Sequence, residues 1–341
     1  MKAMDKKRDR AMGAIMGTLV GDALGVGPHW YYDLGQLRKD YGEWVDNYTR
    51  PKPGRFHSGL EAGENSQTGQ VVTILLESVA EQGGYDEGDF TARLDSLLDT
   101  LDGTPRGGRY TDHAMRDVWQ ARQVLGLPWS EAGSLSDTAE AAIRTPVLAA
   151  RYYDDFGKLM KFLASNVLLT HRDPFIAGQS VALGLITAGL INGYNIGEVS
   201  KAIFKFAREK GFDLVIQVPK KNPKEEISFA DALLQPSWSY NAARDPGIRI
   251  DPAAAACSLF GLACTLGFML PAAYYYASRF ETLFYEAVMS ALNGGGNNMA
   301  RSALTGALSG AQVGLTGIPE YLIKGLYDHE RLLGMAEKIT S

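Results

Sequence analysis

The sequence predicts an all-α fold, arranged as a single large multi-helical domain over residues 1–341. Apolar residues recur at three- and four-residue spacing through several long segments, which is the periodicity of buried helix faces. Glycines recur at every fourth residue near both ends of the chain, and no segment has the composition of a flexible interdomain linker. The one extended run with a strand pattern is 213–218. Hydrophobic residues make up 45% and charged residues 21% of the chain, which excludes intrinsic disorder.

The first helix is predicted over the apolar run 11–20. Basic residues at 6–10 precede it, as they would in a secretory signal. Glycines interrupt the run, however, and Asp22 follows it in place of a cleavage region. We therefore interpret this segment as a buried helix.

Further helices are predicted where the apolar periodicity is strongest. Two stretches, 174–197 and 252–278, carry no charged residue, and about 20 such residues suffice to cross a bilayer. Both are rich in small and hydroxyl-bearing residues and contain breakers such as Pro271, so we interpret them as central helices of an all-helical domain. The other predicted helices are 71–80, 150–167, 197–210 and 278–292, and the predicted loops are 47–64, 102–110 and 219–224.

Two glycine stripes follow from the same periodicity. Gly13, Gly17, Gly21 and Gly25 share one face of the first helix, and glycines at 306, 310 and 314 repeat the pattern near the other end. A glycine inside a helix costs about 1 kcal/mol relative to alanine, so the repetition predicts close helix packing at each stripe. The spacing leaves open whether the two stripes meet.

Composition also restricts the partners and the compartment. The net charge of −5, from 34 basic and 39 acidic residues, argues against a nucleic-acid partner. A mean hydropathy of −0.13 argues against a polytopic membrane protein. Two cysteines cannot form a disulfide framework, and Cys257 and Cys264 lie about 10 Å apart along a predicted helix, too far to bridge. We expect a cytoplasmic protein without a membrane partner, and the oligomeric state stays open.

Polar residues gather in four clusters at the borders of the predicted helices. Converging helix starts would present free N–H groups to an anion or to sugar hydroxyls, whereas any single cluster could be ordinary N-capping. A shared pocket between packed helices is therefore one of two interpretations. The clusters are Asp22 with 27–30, His57 with 64–70, 170–174, and 293–298.

Three segments in order resemble the ADP-ribosylglycohydrolase family. They are the glycine-rich segment 13–25, the pair Thr170-His171, and the segment 295–311 that begins Gly-Gly-Asn-Asn-Met-Ala-Arg. The resemblance spans nearly the whole chain. Shorter motifs at 28–30, 55–57 and 317–319 are similar to the branch that contains the J-type crystallins of jellyfish lenses.

The resemblance implies an all-α fold with two magnesium ions that help to cleave the bond between ADP-ribose and its acceptor. In that family the ligands come from a Thr-Asp-Asp motif and an Asp-x-Asp-Thr motif, each opening a helix. The first motif falls on Ser66, Gln67 and Thr68, and the second falls on 297–300, which read Asn-Asn-Met-Ala. None of the four aspartates is present. Magnesium prefers oxygen ligands that include carboxylates, so we expect no metal and no cofactor.

The sequence leaves the catalytic residues open. Carboxylates that could replace the metal chemistry are Asp22, Glu64, Asp112 and Asp173, and His29, His57, His113 and His171 could carry protons. The five histidines and two cysteines show no zinc-ligand spacing, and 294–296 lacks the signature of a P-loop. The residues predicted to line a vestigial pocket are Asp22, His29, Glu64, Asn65, Ser66, Gln67, Thr68, Thr170, His171, Asn297, Asn298 and Arg301.

Three hypotheses for the function follow. The first is a protein of the ADP-ribosylglycohydrolase fold with an eroded magnesium site, which serves as a structural protein like an eye-lens crystallin and lacks hydrolase activity. The second is a divergent hydrolase that cleaves a glycosidic bond in an ADP-ribose-like or other nucleotide-sugar substrate without two magnesium ions. The third is a sensor that binds a small ADP-ribose-like ligand without turnover.

Overall fold

The computed structural model describes residues 5–106, 109–218 and 226–341. Within these ranges the regular secondary structure is helical apart from one short sheet, which confirms the all-α prediction. The α-helices are Lys6–Val26 (α1), Leu34–Tyr41 (α2), Gln67–Gln82 (α3), Glu87–Leu98 (α4), His113–Trp119 (α5), Glu140–Tyr152 (α6), Phe156–Thr170 (α7), Pro174–Ile191 (α8), Ile196–Lys210 (α9), Gln235–Arg244 (α10), Cys257–Phe260 (α11), Leu266–Arg279 (α12), Phe284–Leu292 (α13), Asn298–Val313 (α14), Glu320–Lys324 (α15) and His329–Ile339 (α16).

The sheet pairs Val215–Gln217 (β1) with Glu226–Ser228 (β2) in antiparallel register, with Ile216 opposite Ile227. The strand predicted at 213–218 is therefore confirmed. The loop predicted at 219–224 lies outside the described residues, as do the two glycines at 107 and 108 in the predicted loop 102–110.

The two glycine stripes meet each other. A Cβ added at Gly17 would lie 2.1 Å from the carbonyl oxygen of Gly306, and one added at Gly13 would lie 2.3 Å from that of Gly310. The partners run in opposite directions, so α1 and α14 are antiparallel and touch backbone to backbone. Gly314 also contacts the first stripe, since a Cβ added at Gly13 would lie 2.6 Å from its carbonyl carbon, although it is the C-cap of α14 with a φ of +79°.

The main hydrophobic core surrounds this crossing. Side chains of α1, α3, α6, α8 and α14 contribute to it, and α1 is buried from Ala11 to Val26. In the described part of the chain, α8 alone is long and apolar enough to cross a membrane by length and composition. However, 83% of this helix is buried inside the protein. Its burial matches the predicted central helix.

Some predicted helices are divided. The run 150–167 belongs to α6 and α7, because Asp155 accepts a hydrogen bond from the backbone N–H of Lys158 and so caps a new helix start. The run 278–292 divides at residues 280–283, between α12 and α13. The stretch 252–278 divides where Gly261 adopts a φ of +115° and Thr265 caps α12. Apolar periodicity continues across these breaks, so it could not reveal them.

The break at Gly261 also changes the argument about the cysteines. Cys257 lies on α11 and Cys264 lies in the connection to α12, so a single helix does not separate them. Both thiols are free, as expected, although the geometry behind that expectation was wrong.

Candidate functional site

A cavity of about 210 Å³ lies where four helices begin. Residues at the starts of α3, α5, α6 and α14 line it, together with three loops and the connection before α12. Helix starts therefore do converge, but only α3 and α14 are among the predicted ones. The lining residues are Trp30, His57, Ser66, Thr68, Tyr110, Asp112, His113, Arg116, Thr138, Glu140, Cys264, Asn297 and Met299.

Two of the predicted clusters include helix ends, although the second, 170–174, also opens α8 as predicted, with Asp173 as its N-cap. Asp22 is in the last two turns of α1, and Thr170 is the last residue of α7, followed by His171 as the C-cap. The polar residues there marked element borders correctly, but sequence alone did not show on which side of the border the helix lies.

Larger cavities lie elsewhere. Cavities of about 580 and 410 Å³ adjoin each other beside α7 and α9 and share Phe156 and Phe206 in their walls. Neither contains a predicted site residue. The smaller cavity is the candidate site because it brings together Ser66, Thr68 and Asn297 with carboxyl groups and histidines.

Two cavity-lining side chains, His57 and Asn297, are joined by a chain of hydrogen bonds through His29, which does not itself line the cavity. His29 Nε2 lies 3.1 Å from Asn297 Oδ1, and His29 Nδ1 lies 2.6 Å from His57 Nε2. Asn297 Oδ1 also accepts from the N–H of Ala300 as the N-cap of α14, so this atom is the oxygen and His29 must donate from Nε2. His29 Nδ1 is then an acceptor, and His57 donates to it from Nε2. The remaining nitrogen, His57 Nδ1, is an acceptor with no partner among the described residues.

Burial keeps both histidines neutral. It lowers the pKa of His29 well below its usual value, and the neighbouring His57 lowers it further. Burial likewise lowers the pKa of His57 to about 4, with a smaller contribution from the positive charge of Arg109. A neutral pair is what the donor–acceptor order of the chain requires.

The side chains at the four metal positions do not fit magnesium. The Gln67 amide donates to Thr111 Oγ1 at 2.9 Å, and Asn297 is engaged by His29 and Ala300. Thr68 offers a neutral hydroxyl and Met299 a soft thioether, so the set supplies no negative charge. Within the described ranges, no group of three or more histidine, cysteine or acidic side chains is arranged to hold a metal ion.

Asp22 lies beneath the cavity and is fully buried. Its carboxylate accepts from Ser66 N at 2.8 Å, from Ser66 Oγ at 2.6 Å and from Asn65 Nδ2 at 3.0 Å. Burial raises its pKa, and these hydrogen bonds oppose the rise. Asp22 is not among the cavity-lining residues, and its contacts tie the end of α1 to the start of α3.

Glu64 and Asn65 face a separate cavity of about 200 Å³. Arg109 joins them, with Nη2 donating to Glu64 Oε1 at 3.0 Å and Nη1 donating to the carbonyl of Asn65. Glu64 and Asn65 therefore line a different cavity from Ser66, Thr68 and Asn297, and the other seven predicted pocket residues line neither of the two.

Asn298 and Arg301 hold the backbone around the glycine turn 294–296. Arg301 is fully buried and donates to the carbonyls of Ala291 at 2.9 Å and Gly295 at 2.5 Å. Asn298 donates to the carbonyl of Pro28 at 3.0 Å. Neither side chain lines the cavity, so both position the start of α14.

Opposite the histidine chain, Asp112 and Glu140 form a carboxyl pair. Both are partly exposed to the cavity and otherwise enclosed by protein. Asp112 caps α5 by accepting from Met115 N at 2.8 Å, and Thr138 Oγ1 donates to its second oxygen at 3.0 Å. Burial raises the pKa of Asp112 well above its usual value, and the charge of Glu140 and a hydrogen bond to it raise the pKa further. We predict that Asp112 retains a proton, which it can share with the adjacent Glu140 carboxyl.

A buried relay supports the pair from behind. The fully buried Arg144 donates to Thr170 Oγ1 at 2.9 Å, and that hydroxyl donates to His171 Nδ1 at 3.0 Å. His171 Nε2 then carries the proton and donates it to Thr138 Oγ1 at 3.3 Å, while Glu140 Oε2 lies 3.5 Å away. Burial, followed by the charge of Arg144, lowers the pKa of His171 to about 4, so the ring is neutral. Thr170 and His171 act on the pair through these contacts.

Sequence reasoning found Asp112 but missed Glu140, Trp30 and Tyr110 as cavity residues. Glu140 lies in the first turn of α6, and nothing in its spacing from Asp112 indicates that the two carboxyls meet. Trp30 belongs to the cluster 27–30 but was not predicted to line the pocket, and its φ of +60° is rare for a bulky side chain. Of the other catalytic candidates, His113 lies at the rim and pairs with Asp117, and Asp173 caps α8.

The shared proton makes a testable prediction about stability. Because the folded state raises the pKa of Asp112, the stabilisation is complete below the unfolded value of about 4 and is lost as the pH rises through the folded value. Asp112→Asn keeps the cap and cannot ionise. We expect this variant to gain stability over the parent protein as the pH rises from 4 to 8, measured by urea unfolding at each pH. A difference that does not change with pH would contradict the shared proton.

Comparisons with known proteins agree with this architecture. A family model for ADP-ribosylglycohydrolase matches residues 3–341. Crystallin J1A of Tripedalia cystophora is 23% identical over 362 residues, which cover 98% of each chain. An uncharacterised protein of Archaeoglobus fulgidus is 25% identical over 332 residues, 97% of this chain and 96% of its own.

Among solved structures, one described as an ADP-ribosylglycohydrolase-related protein complex superposes with a TM-score of 0.67. The match covers 98% of both chains at 19% identity. At that identity the likeness supports the fold and says nothing of the chemistry.

Proposed function

The chain belongs to the ADP-ribosylglycohydrolase family, and from this membership we propose that it is a member without the two-magnesium centre. In this proposal it serves as a structural protein, similar to a J-type lens crystallin, and has no ADP-ribosylglycohydrolase activity. We further propose a cytoplasmic protein with neither a nucleic-acid nor a membrane partner, and an ADP-ribose-like molecule as its candidate ligand. The free Cys257 and Cys264 support the compartment.

One observation carries the proposal. The four positions that would supply aspartates hold two amides, a hydroxyl and a thioether, and both amides are already hydrogen-bonded within the protein. Two magnesium ions bring four positive charges, and these side chains offset none of them. The relationship to Crystallin J1A over 98% of both chains supports the structural role.

Calorimetry and an activity assay test the proposal together. We expect no heat of binding for magnesium at millimolar concentration and no release of ADP-ribose from ADP-ribosylated arginine or serine. A relative that retains the aspartate motifs serves as the positive control under the same conditions. Binding of two magnesium ions, or magnesium-dependent hydrolysis, would refute the proposal.

The carboxyl pair favours a second candidate, a hydrolase that needs no metal. Retaining glycosidases place their two carboxyls about 5–5.5 Å apart and inverting enzymes place them farther apart. Asp112 and Glu140 line the same cavity, and the charge of Glu140 raises the pKa of Asp112. They resemble instead a proton-sharing pair, in which one carboxylate takes a proton from water and the other protonates the leaving group.

The second candidate has its own test. ADP-ribosylated arginine, serine and ADP-ribose phosphoesters would be hydrolysed in the presence of EDTA. Asp112→Asn and Glu140→Gln would each abolish that activity, whereas Glu64→Gln, which removes a carboxylate outside the cavity, would leave it unchanged. Activity that survives both cavity variants would exclude the pair, and absence of any turnover would leave the structural proposal in place.

A further inference from the structure

We propose that the cavity binds a small organic ammonium ion, with its N–H groups directed to Asp112 and Glu140 and its apolar part against Trp30 and Tyr110. The inference goes beyond the proposed function, because a structural protein and a hydrolase could both carry such a site. It depends on the arrangement of unpartnered acceptors, charge and aromatic rings within one enclosed space.

The first support is the charge around the pair. Arg144 lies behind it at the end of the Thr170–His171 relay, and its positive charge balances one carboxylate. The second carboxylate needs a proton or another cation. Exchange of the shared proton for an ammonium ion leaves the net charge of the site unchanged, so the two compete for the same place.

The second support is independent of the carboxyls. His57 lines the same cavity, is only 2% exposed, and has its Nδ1 without a partner in the described part of the chain. The order of donors along His57, His29 and Asn297 makes this nitrogen an acceptor. Glu140 Oε2 is a buried acceptor of the same cavity, with the neutral His171 at a long 3.5 Å. Acceptors on two walls therefore call for a ligand that donates N–H groups.

The aromatic rings explain why the cation would be organic. Trp30 packs edge-on against Tyr110 with ring centroids 5.0 Å apart, and both line the cavity. A ring face attracts a cation and an alkyl group attached to it, whereas a hydrated metal ion would lose its water without enough charged ligands. A volume of about 210 Å³ admits a short alkylammonium ion.

The charged groups around the cavity set the direction of the pH dependence. Arg116 and His113 lie at the rim, and the positive charge of Arg116 opposes a second cation. Tyr110 remains protonated, because burial and then the charge of Asp112 raise its pKa to about 12. His57 and His171 are neutral above pH 5. The proton of the pair is therefore the one that an ammonium ion displaces near neutral pH.

Calorimetric titration of the full chain with n-butylammonium chloride tests the inference. We expect affinity to rise with pH between pH 6 and pH 8, by at most about tenfold per pH unit, with up to one proton released per ion in buffers of different ionisation enthalpy. Tetramethylammonium, which has the charge but no N–H group, and potassium ions should bind at least tenfold more weakly. Equal binding of tetramethylammonium, affinity independent of pH, or no binding would each overturn the inference.

Three variants complete the test. Asp112→Asn should weaken butylammonium binding at least tenfold and remove the proton release, and Arg116→Gln should strengthen binding severalfold because it removes a competing positive charge. Glu64→Gln removes a carboxylate from the neighbouring cavity and should change nothing. If Asp112→Asn does not fold, unchanged binding by Arg116→Gln still contradicts the inference. The magnesium titration of the proposed function is separate, so either proposal can fail alone.

Discussion

Gly17→Ala is expected to destabilise the protein by about 3 kcal/mol or more, enough to remove a large part of the stability of an ordinary domain. The new Cβ would lie 2.1 Å from the carbonyl oxygen of Gly306. Both atoms belong to the backbones of packed helices, so no side chain can rotate away to relieve the contact. The crossing of α1 and α14 would have to open. Thermal unfolding of the purified variant, or its loss from the soluble fraction, measures the effect.

Gly334→Ala is the matched control. Gly334 is an exposed position inside α16, and a Cβ added there meets no atom within 4 Å. Alanine is favoured over glycine in a helix by about 1 kcal/mol, so the same substitution should stabilise the protein slightly. A similar loss of stability in both variants would show that the effect of Gly17→Ala does not come from the contact between α1 and α14.

The contact between the two glycine stripes shows which features of the fold the sequence predicts and which it does not. The four-residue spacing predicted close packing for each stripe, because glycine destabilises a helix and its repetition indicates a compensating contact. It could not identify the partner, because spacing describes a single helix and the antiparallel match of Gly13 with Gly310 arises from the tertiary fold. The same limit explains the divided helices, since the cap at Asp155 competes with an apolar periodicity that continues beyond it.

The candidate site was predictable where residues border helices in sequence. Ser66 and Asn297 were found because N-caps precede apolar runs, and both lie in the cavity. Glu140 was not found, because its importance comes from a contact with Asp112 across 28 residues of sequence. Arg301 was taken for a pocket residue, but a buried guanidinium can serve backbone carbonyls equally well. The residue types indicated which chemical groups the site could contain. Which of these groups contact each other is determined by the tertiary fold.

Restoring the four aspartates is expected to create the magnesium affinity that we propose the parent protein lacks. The combined variant carries Gln67→Asp, Thr68→Asp, Asn297→Asp and Met299→Asp. Without metal, four carboxylates around one small cavity repel each other, so the melting temperature in EDTA should fall by several degrees. Magnesium at 100 times its dissociation constant would raise the free energy of unfolding of this variant by about 2.7 kcal/mol, because magnesium binds the folded state alone. Differential scanning calorimetry with and without magnesium measures both effects.

A control for added charge separates metal binding from general electrostatics. Four aspartates at exposed neutral positions change the net charge equally but surround no cavity, so magnesium should not shift that melting temperature. If the cavity variant folds but its melting temperature does not change with magnesium, these four positions do not surround the metal site that the family implies. Stabilisation of the unaltered protein by magnesium would instead show that neutral ligands suffice, and the proposed loss of the metal centre would be wrong. The exposed control positions are Gln36, Ser96, Gln120 and Gln123.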